Sequence, residues 1–311
     1  MRKRRLTLMI ASFVALAVAL ACQQPLHATA DRGKDYPSCA SPSWSGDGQW
    51  IAFASDHAGG KYHVWKVRAT GADLTQVTPS GEVDSAPAWS RDGEWIAFSR
   101  AQDGNTQIWV VRPDGSQPAR VTTYPCLNVN PAWAPDNATL AFVTDRADDW
   151  DILTASLAGE EGSYLVASAK RERHPTWAPD GSWIAYARSE VSESGARFSI
   201  WKARVGSNER VEITTGQHME WDPAWHPTQN LIAFDSDRDG SRKLWVVNAD
   251  GTGLHRVTSR PMSFVETEPA WSPDGSKLAF IGERQYGGEV WIVNADGTGL
   301  TQVTHLTEPQ P

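Results

Sequence analysis

Pro269-Ala270-Trp271-Ser272-Pro273-Asp274-Gly275-Ser276-Lys277-Leu278-Ala279-Phe280 decides the fold, because its pattern occurs six times in the chain. The leading prolines are Pro42, Pro87, Pro131, Pro175, Pro223 and Pro269. A tryptophan follows each by two positions: Trp44, Trp89, Trp133, Trp177, Trp225 and Trp271. An aromatic follows each by eleven: Phe53, Phe98, Phe142, Tyr186, Phe234 and Phe280. The copies are spaced 44–48 residues apart. A period of this length marks one supersecondary unit repeated around an axis or along a stack.

Outward from this stretch, each copy reads as four short strands. The first holds Pro-x-Trp. A tight turn follows, as in Ser45-Gly46-Asp47-Gly48, where Gly tolerates the positive φ that ends a type I turn. Copy five, with His226-Pro227-Thr228-Gln229, lacks the Asp-Gly and is expected to turn less cleanly. The second strand is Ile-Ala-Phe or a close variant, apolar on both sides of a small residue, which suits a sheet packed on both faces. The third ends on Trp65, Trp109, Leu153, Trp201, Trp245 or Trp291, so only copy three lacks the tryptophan. A second turn, as in Asn294-Ala295-Asp296-Gly297, leads to a fourth strand closing on Val-Thr or its equivalent. No run after residue 30 keeps a helical apolar period for three turns, so almost no helix is expected. Four antiparallel strands per copy predict an all-β, six-bladed propeller over residues 42–305, with its ends meeting between blades six and one. The rival, an open β-solenoid, needs polar caps, and neither end has one. The repeat aromatics read as core packed between neighbouring sheets.

The repeat resembles that of TolB-type periplasmic proteins, which share Pro-x-Trp-Ser-Pro-Asp-Gly-x-x-Ile-Ala-Phe. The likeness covers residues 42–305. It implies an exported, non-catalytic propeller that binds an envelope protein or peptide, lipoproteins among the candidates, at its channel mouth. TolB itself carries an α/β domain ahead of its propeller, whereas a tether of residues 31–41 precedes this one and residues 306–311 form a tail. A role that needs the α/β domain is therefore not implied. Related propellers also occur in peptidases and polysaccharide lyases, so fold alone does not fix function.

Arg2, Lys3, Arg4 and Arg5 precede an uncharged run from Leu6 to Ala21, short for a membrane span and right for a signal peptide. Ala28-Thr29-Ala30 offers cleavage after residue 30; Ala21-Cys22 offers a lipoprotein reading, with residues 1–21 removed and Cys22 lipidated. Both place the protein in the periplasm, free or membrane-tethered, and a monomer is expected. Removing residues 1–30 takes four of the 29 Lys+Arg and none of the 37 Asp+Glu, leaving 25 against 37. That balance argues against nucleic acid as partner. Cys39 and Cys126 remain, without metal-site spacing and on non-adjacent blades, which favours free thiols.

Both the first and the third turn of each copy have fixed length, so length variation falls in the two-to-three and four-to-one loops. In an up-and-down sheet these emerge on one face, where repeat proteins often place binding insertions. The additions lie around Ser192 to Arg197 and Met262 to Glu266. The four-to-one loops are expected to rim the channel with Asp84, Asn128, Glu172, Glu220 and Glu266, three residues before the proline, and His174, Asp222 and Glu268, one residue before it. Arg173 interrupts this acidic rim, while Trp221, Met262 and Phe264 add apolar matter. Such a mouth suits basic or donor-rich peptide groups.

No nucleophile elbow, H-E-x-x-H, P-loop or cysteine metal motif is present, and no cofactor is expected. Asp235-Ser236-Asp237-Arg238-Asp239-Gly240 starts like an EF-hand loop, but Val246 stands where the bidentate Glu belongs, so it reads as a hairpin turn. His174, His218, Glu220 and Asp222 could cluster at the mouth, which keeps open a metal-assisted glycan lyase or hydrolase as the alternative. His57 and His63 read as solvated.

Overall fold

The computed structural model describes residues 38–306, except 80, 147–149, 159–160, 193–194, 259–263 and 285–286. The proposed signal peptide, Cys22 and Met262 lie outside these residues. Twenty-four strands form six four-stranded antiparallel sheets, each from consecutive strands. Blade one is β1 (Cys39–Trp44), β2 (Trp50–Ser55), β3 (His63–Arg68) and β4 (Thr75–Gln76). Blade two is β5 (Val83–Trp89), β6 (Ile96–Gln102), β7 (Asn105–Val111) and β8 (Ala119–Arg120). Blade three is β9 (Asn128–Trp133), β10 (Thr139–Thr144), β11 (Asp151–Ser156) and β12 (Glu161–Val166). Blade four is β13 (Glu172–Trp177), β14 (Trp183–Ser192), β15 (Gly195–Arg204) and β16 (Arg210–Glu212). Blade five is β17 (Glu220–Trp225), β18 (Leu231–Ser236), β19 (Lys243–Asn248) and β20 (His255–Arg256). Blade six is β21 (Val265–Trp271), β22 (Lys277–Arg284), β23 (Gly287–Asn294) and β24 (Thr301–Gln302). Among the described residues there is no helix. The six-bladed propeller read from the repeat is the observed fold.

Each blade is centred on the Ile-Ala-Phe strand because that strand is packed on both sides. Phe53, Phe98, Phe234 and Phe280 are fully buried, and each such ring contributes roughly 1.5–3 kcal/mol. The aromatic pairs across the sheet with the third-strand slot, as in Phe98 with Trp109 and Tyr186 with Trp201. Turns close as the sequence demands: Ser45 Oγ donates to Asp47 Oδ1 at 2.6 Å, and Gly48 takes φ 68°. Copy five turns less cleanly, as expected: the backbone bond that closes the turn in the other five copies, as from Gly48 N to Ser45 O, is absent there among the described residues. His226 replaces the missing Ser and Asp, its Nδ1 accepting from Thr228 N at 3.2 Å and Gln229 N at 3.1 Å.

Four of the Pro-x-Trp indoles tie neighbouring blades, whereas Trp89 Nε1 donates to Gly93 O of its own turn at 3.1 Å and Trp225 Nε1 has no partner among the described residues. Trp133 Nε1 donates to Ala88 O, Trp177 Nε1 to Ala132 O and Trp271 Nε1 to Ala224 O, at 2.9, 3.2 and 3.1 Å. The seam between blades six and one uses the same bond, from Trp44 Nε1 to Ala270 O at 3.1 Å. One core cluster, including Phe53, Ile281, Ile292 and Val303, spans that seam. The ring thus closes face to face, with no blade shared between the two ends of the repeat.

Candidate functional site

The innermost strand of every blade contains a bulge where the register slips before the repeat proline. The residue before that proline is left-handed in all six blades: Ser41, Ala86, Asn130, His174, Asp222 and Glu268, with φ 52°, 49°, 54°, 53°, 50° and 55°. Proline Cδ pushes its predecessor out of the right-handed helical region. A non-glycine residue at positive φ carries of order 1–3 kcal/mol of strain, sustained where the surroundings over-determine it. These six residues and their prolines line the central channel, an opening of about 140 Å³.

The wall is chemically lopsided. Blades one to three contribute Ser41, Ala86 and Asn130; blades four to six contribute His174, Asp222 and Glu268. Behind the second group lies an ionic network. His174 Nδ1 stands 2.7 Å from Asp222 Oδ1, and Arg242 Nη2 stands 3.4 Å from Asp222 Oδ2. Arg242 Nε also donates to Asp235 Oδ2 at 2.6 Å. Burial pushes the Asp222 carboxyl up, but His174 and Arg242 outweigh it and hold the group below the usual carboxylate range. Burial opposes the Arg242 charge too, yet Asp235 and Asp222 fix it as a cation. Asp235 goes the other way: burial, then the Asp222 charge, raise it well above a normal aspartate despite Arg242. Glu268 accepts the Ser41 amide across the seam. Burial first, and the charge of Asp222 second, push Glu268 up to about 8. The channel therefore holds a carboxyl that keeps its proton to higher pH than an ordinary glutamate.

The expected rim divides in two. His174, Asp222 and Glu268 face the channel. Asp84, Asn128, Glu172, Glu220 and Glu266 do not form an exposed acidic ring; each is buried at 3% exposure or less. Arg100 clamps Asp84 with Nε–Oδ1 at 2.7 Å and Nη2–Oδ2 at 2.9 Å. Arg238 holds Glu220 at 2.5 Å, and Lys243 holds Glu266 at 3.2 Å. Ser168 Oγ donates to Glu172 Oε1 at 2.5 Å, and Asn128 Nδ2 donates to Gln107 Oε1 at 3.2 Å. The slip at the bulge explains the division. It turns the residue before the proline inward, while the residue two earlier points into the junction between blades.

That junction contains a polar lock that the sequence reading passed over. Two positions before each third-strand tryptophan slot stands a polar residue: His63, Gln107, Asp151, Ser199, Lys243 and Glu289, all buried. Gln107 and Glu289 meet the closing threonine of their own blade, and Gln107 and Lys243 meet the first strand of the next. Thr258 Oγ1 donates to Glu266 Oε2 at 2.5 Å, Thr122 Oγ1 donates to Gln107 Oε1 at 2.8 Å, and Thr304 donates to Glu289. Six polar residues at one slot of an otherwise apolar strand were the available signal. His63 is accordingly buried rather than solvated, and so is Phe264, which packs on Trp291 at 5.1 Å. Trp221 remains partly exposed near the mouth, edge-on to His174. Arg173 lies over Trp150, 4.5 Å from its centroid.

The EF-hand-like stretch is a turn: Gly240 N donates to Asp237 O at 2.7 Å, Asp235 serves Arg242, and Arg238 serves Glu220. Of His174, His218, Glu220 and Asp222, only His174 and Asp222 are brought together. Among the described residues, no three His, Cys, Asp or Glu side chains converge on a point that could hold a metal. Cys39 and Cys126 are free thiols, Cys39 buried and within 3.7 Å of Thr304 Oγ1.

A family model described as TolB beta propeller domain matches residues 30–197 and 191–309. The chain belongs to this family. No curated protein matches it. Among solved structures, TolB from Acinetobacter baumannii superposes with TM-score 0.65 at 17% identity, covering 90% of this chain and 66% of that one. A tricorn protease gives 0.68 at 17%, covering 88% of this chain and 27% of that one. An oligogalacturonate lyase in complex with manganese gives 0.61 at 16%, covering 86% and 78%. At such identities these likenesses show a shared fold, one that serves a protease and a lyase as well as TolB.

Proposed function

We propose that this TolB-like propeller is an exported, non-catalytic binding protein of the periplasm that captures an envelope protein or peptide at its channel mouth. The observation that carries the reading is the lopsided channel wall. One half is small and neutral, while the other presents His174, Asp222 and Glu268. A basic or donor-rich group entering from the mouth finds acceptors on blades four to six and room against Ala86. Its arrival favours ionisation of Glu268, so capture is coupled to release of a proton near neutral pH. The fixed backbone supports this role, because a channel held by strand bulges is preorganised and needs little ordering on binding. The glycan lyase or hydrolase reading finds no comparable donor set among the described residues.

The test is capture from envelope extract by the wild-type chain and two charge-neutralised variants. The channel variant is Glu268→Gln with His174→Gln. The control is Asp73→Asn with Glu94→Gln, two exposed residues of the opposite face with 59% and 64% side-chain exposure. Partner capture should fall with the channel variant, survive the control and weaken with added salt. Loss with the control while the channel variant still captures would remove the assignment.

A further inference from the structure

A large cleft lies on the other face, between blades three and four. It measures about 1010 Å³ and is lined from Pro135 and Asp136 to Asn208 and Arg210. Small polar residues of blade three border it. Eight residues after the repeat proline, blades one, two and four carry Trp50, Trp95 and Trp183, blade three carries Thr139, and blades five and six carry Leu231 and Lys277. In blades one, two and four that indole is capped by a cation from the third strand. Lys66 and Arg68 lie 4.8 and 4.5 Å from the Trp50 centroid, Arg112 lies 4.0 Å from Trp95, and Lys202 lies 4.6 Å from Trp183. Blade three places Thr154 and Ser156 at the positions of Lys66 and Arg68. The plug that fills the gap to the next blade is replaced by hydroxyls. The corresponding opening between blades four and five, where Trp183 and Lys202 are present, is only about 290 Å³.

Blade four withdraws from the gap as well. In blades one, two, five and six, the glycine of the second turn sits against the preceding blade; a Cβ on Gly71, Gly115, Gly251 or Gly297 would come within 3.0 Å of a carbonyl of its fourth strand. A Cβ on Gly206, in blade four, would meet nothing within 4 Å. The outer strand β12 is six residues long, against two in β4, β8, β20 and β24. It presents Tyr164 to the cleft at 45% exposure, with no hydrogen bond or ring contact to a described residue.

We propose that this cleft binds a neutral oligosaccharide. The lining selects that chemistry. A cleft of this size is at the top of the range for small-molecule sites, ~300–1,000 Å³. Its single cation is outnumbered by carboxylates and partly engaged with the backbone: Arg210 donates to Ser207 O and Glu209 O at 3.1 Å and to Leu165 O at 3.3 Å. Its two carboxylates, Asp136 and Asp180, are fixed as acceptors by the turn N–H and hydroxyl groups they cap, and they repel anions. What remains is a row of acceptors beside the flat face of Tyr164: the two carboxylates, and the hydroxyl oxygens of Thr139 and Thr154, whose own protons go to Asp136 Oδ2 at 2.7 Å and Ser163 O at 3.4 Å. A sugar ring offers both halves of that complement, hydroxyls at its edge and an apolar face against an aromatic ring.

The proposal is independent of the channel and is tested separately from it. The probes are cellotetraose, maltotetraose and chitotetraose, followed by titration calorimetry and ligand-observed NMR on the exported chain. Two variants report on the cleft. Tyr164→Ala removes an exposed side chain, and Thr139→Trp with Thr154→Lys restores the plug of blades one and four. At least one tetrasaccharide should bind. Tyr164→Ala should weaken it about tenfold, the upper range for one aromatic contact, and the plugged variant should abolish it. Asp222→Asn, in the channel, should leave it unchanged. The proposal fails if none of the three binds the wild type. It fails equally if trilysine binds instead, or if Tyr164→Ala and the plugged variant bind as tightly as the wild type.

Discussion

At the scale of single residues, the chain puts its charges where each already has a partner. Asp84 is fully buried and answered by both arms of Arg100, which is itself only 13% exposed. Removing one member of such a pair leaves an uncompensated buried charge, so Asp84→Ala should cost about 3–5 kcal/mol. The exposed pair Arg68–Asp73 offers the contrast, and Asp73→Ala should cost about 0–1 kcal/mol. Urea unfolding of the two variants checks this, and equal losses would contradict it. Glu268 makes the pH argument. Its folded pKa, about 8, lies above the ordinary value of 4.5, so the folded state holds the proton more tightly than the unfolded chain. The stability this gives is fully present below pH 4.5 and is lost as pH rises toward 8. Asp235 is shifted the same way, while the lowered Asp222 acts oppositely and only at more acid pH. Stability of the wild type should therefore fall between pH 5 and pH 9, and Glu268→Gln should flatten the upper part of that fall. An unchanged slope in the variant would show that the proton resides elsewhere.

At the scale of elements, the same turn carries different constraints in different blades. Gly297 at φ 81° has a carbonyl of Val257 2.2 Å from where a Cβ would stand, whereas Gly206 at φ 73° faces open space. Gly206→Ala bears only the left-handed backbone strain, of order 1–2 kcal/mol. Gly297→Ala adds a backbone clash and should lower the melting temperature by clearly more; equal shifts would mean that blade six does not lean on blade five as described. This contrast also shows what the sequence made legible. Strand number, order and pairing were readable because Pro-x-Trp, the Asp-Gly turn and Ile-Ala-Phe are local signals with fixed spacing. The bulge was not, because nothing in Ser41, Ala86 or Asn130 announces a left-handed residue. Without it, alternation along the strand sends Asp84 and Glu220 to the rim instead of into the blade junction. The cleft between blades three and four escaped for a related reason. Loop lengths mark only the channel-mouth face as variable, whereas blade three departs through residue size, with Thr139 and Thr154 in place of Trp and Lys.

At the scale of the whole molecule, what matters is how the ring closes. A propeller whose ends share a blade secures its seam with strand hydrogen bonds; here the seam is an interface between two complete sheets. Trp44 Nε1 to Ala270 O repeats across the seam the bond that Trp133 Nε1 makes to Ala88 O inside the chain, and the apolar cluster with Phe53 and Ile281 is continuous there. If the seam is chemically another junction, it should be energetically another junction. Trp44→Phe and Trp133→Phe each leave a shielded carbonyl without its donor, so each should cost ~1–3 kcal/mol. For a domain of this length each kcal/mol corresponds to a shift of roughly 2–4 °C in the melting temperature. Calorimetry of both variants should give similar shifts and one cooperative transition. Contacts run from blade to blade around a closed circle, so no blade has a free face from which to unzip. A separate low-temperature transition in Trp44→Phe, absent in Trp133→Phe, would identify the seam as the place where the ring opens. It would also mean that junctions closed by the same indole bond are unlike in strength.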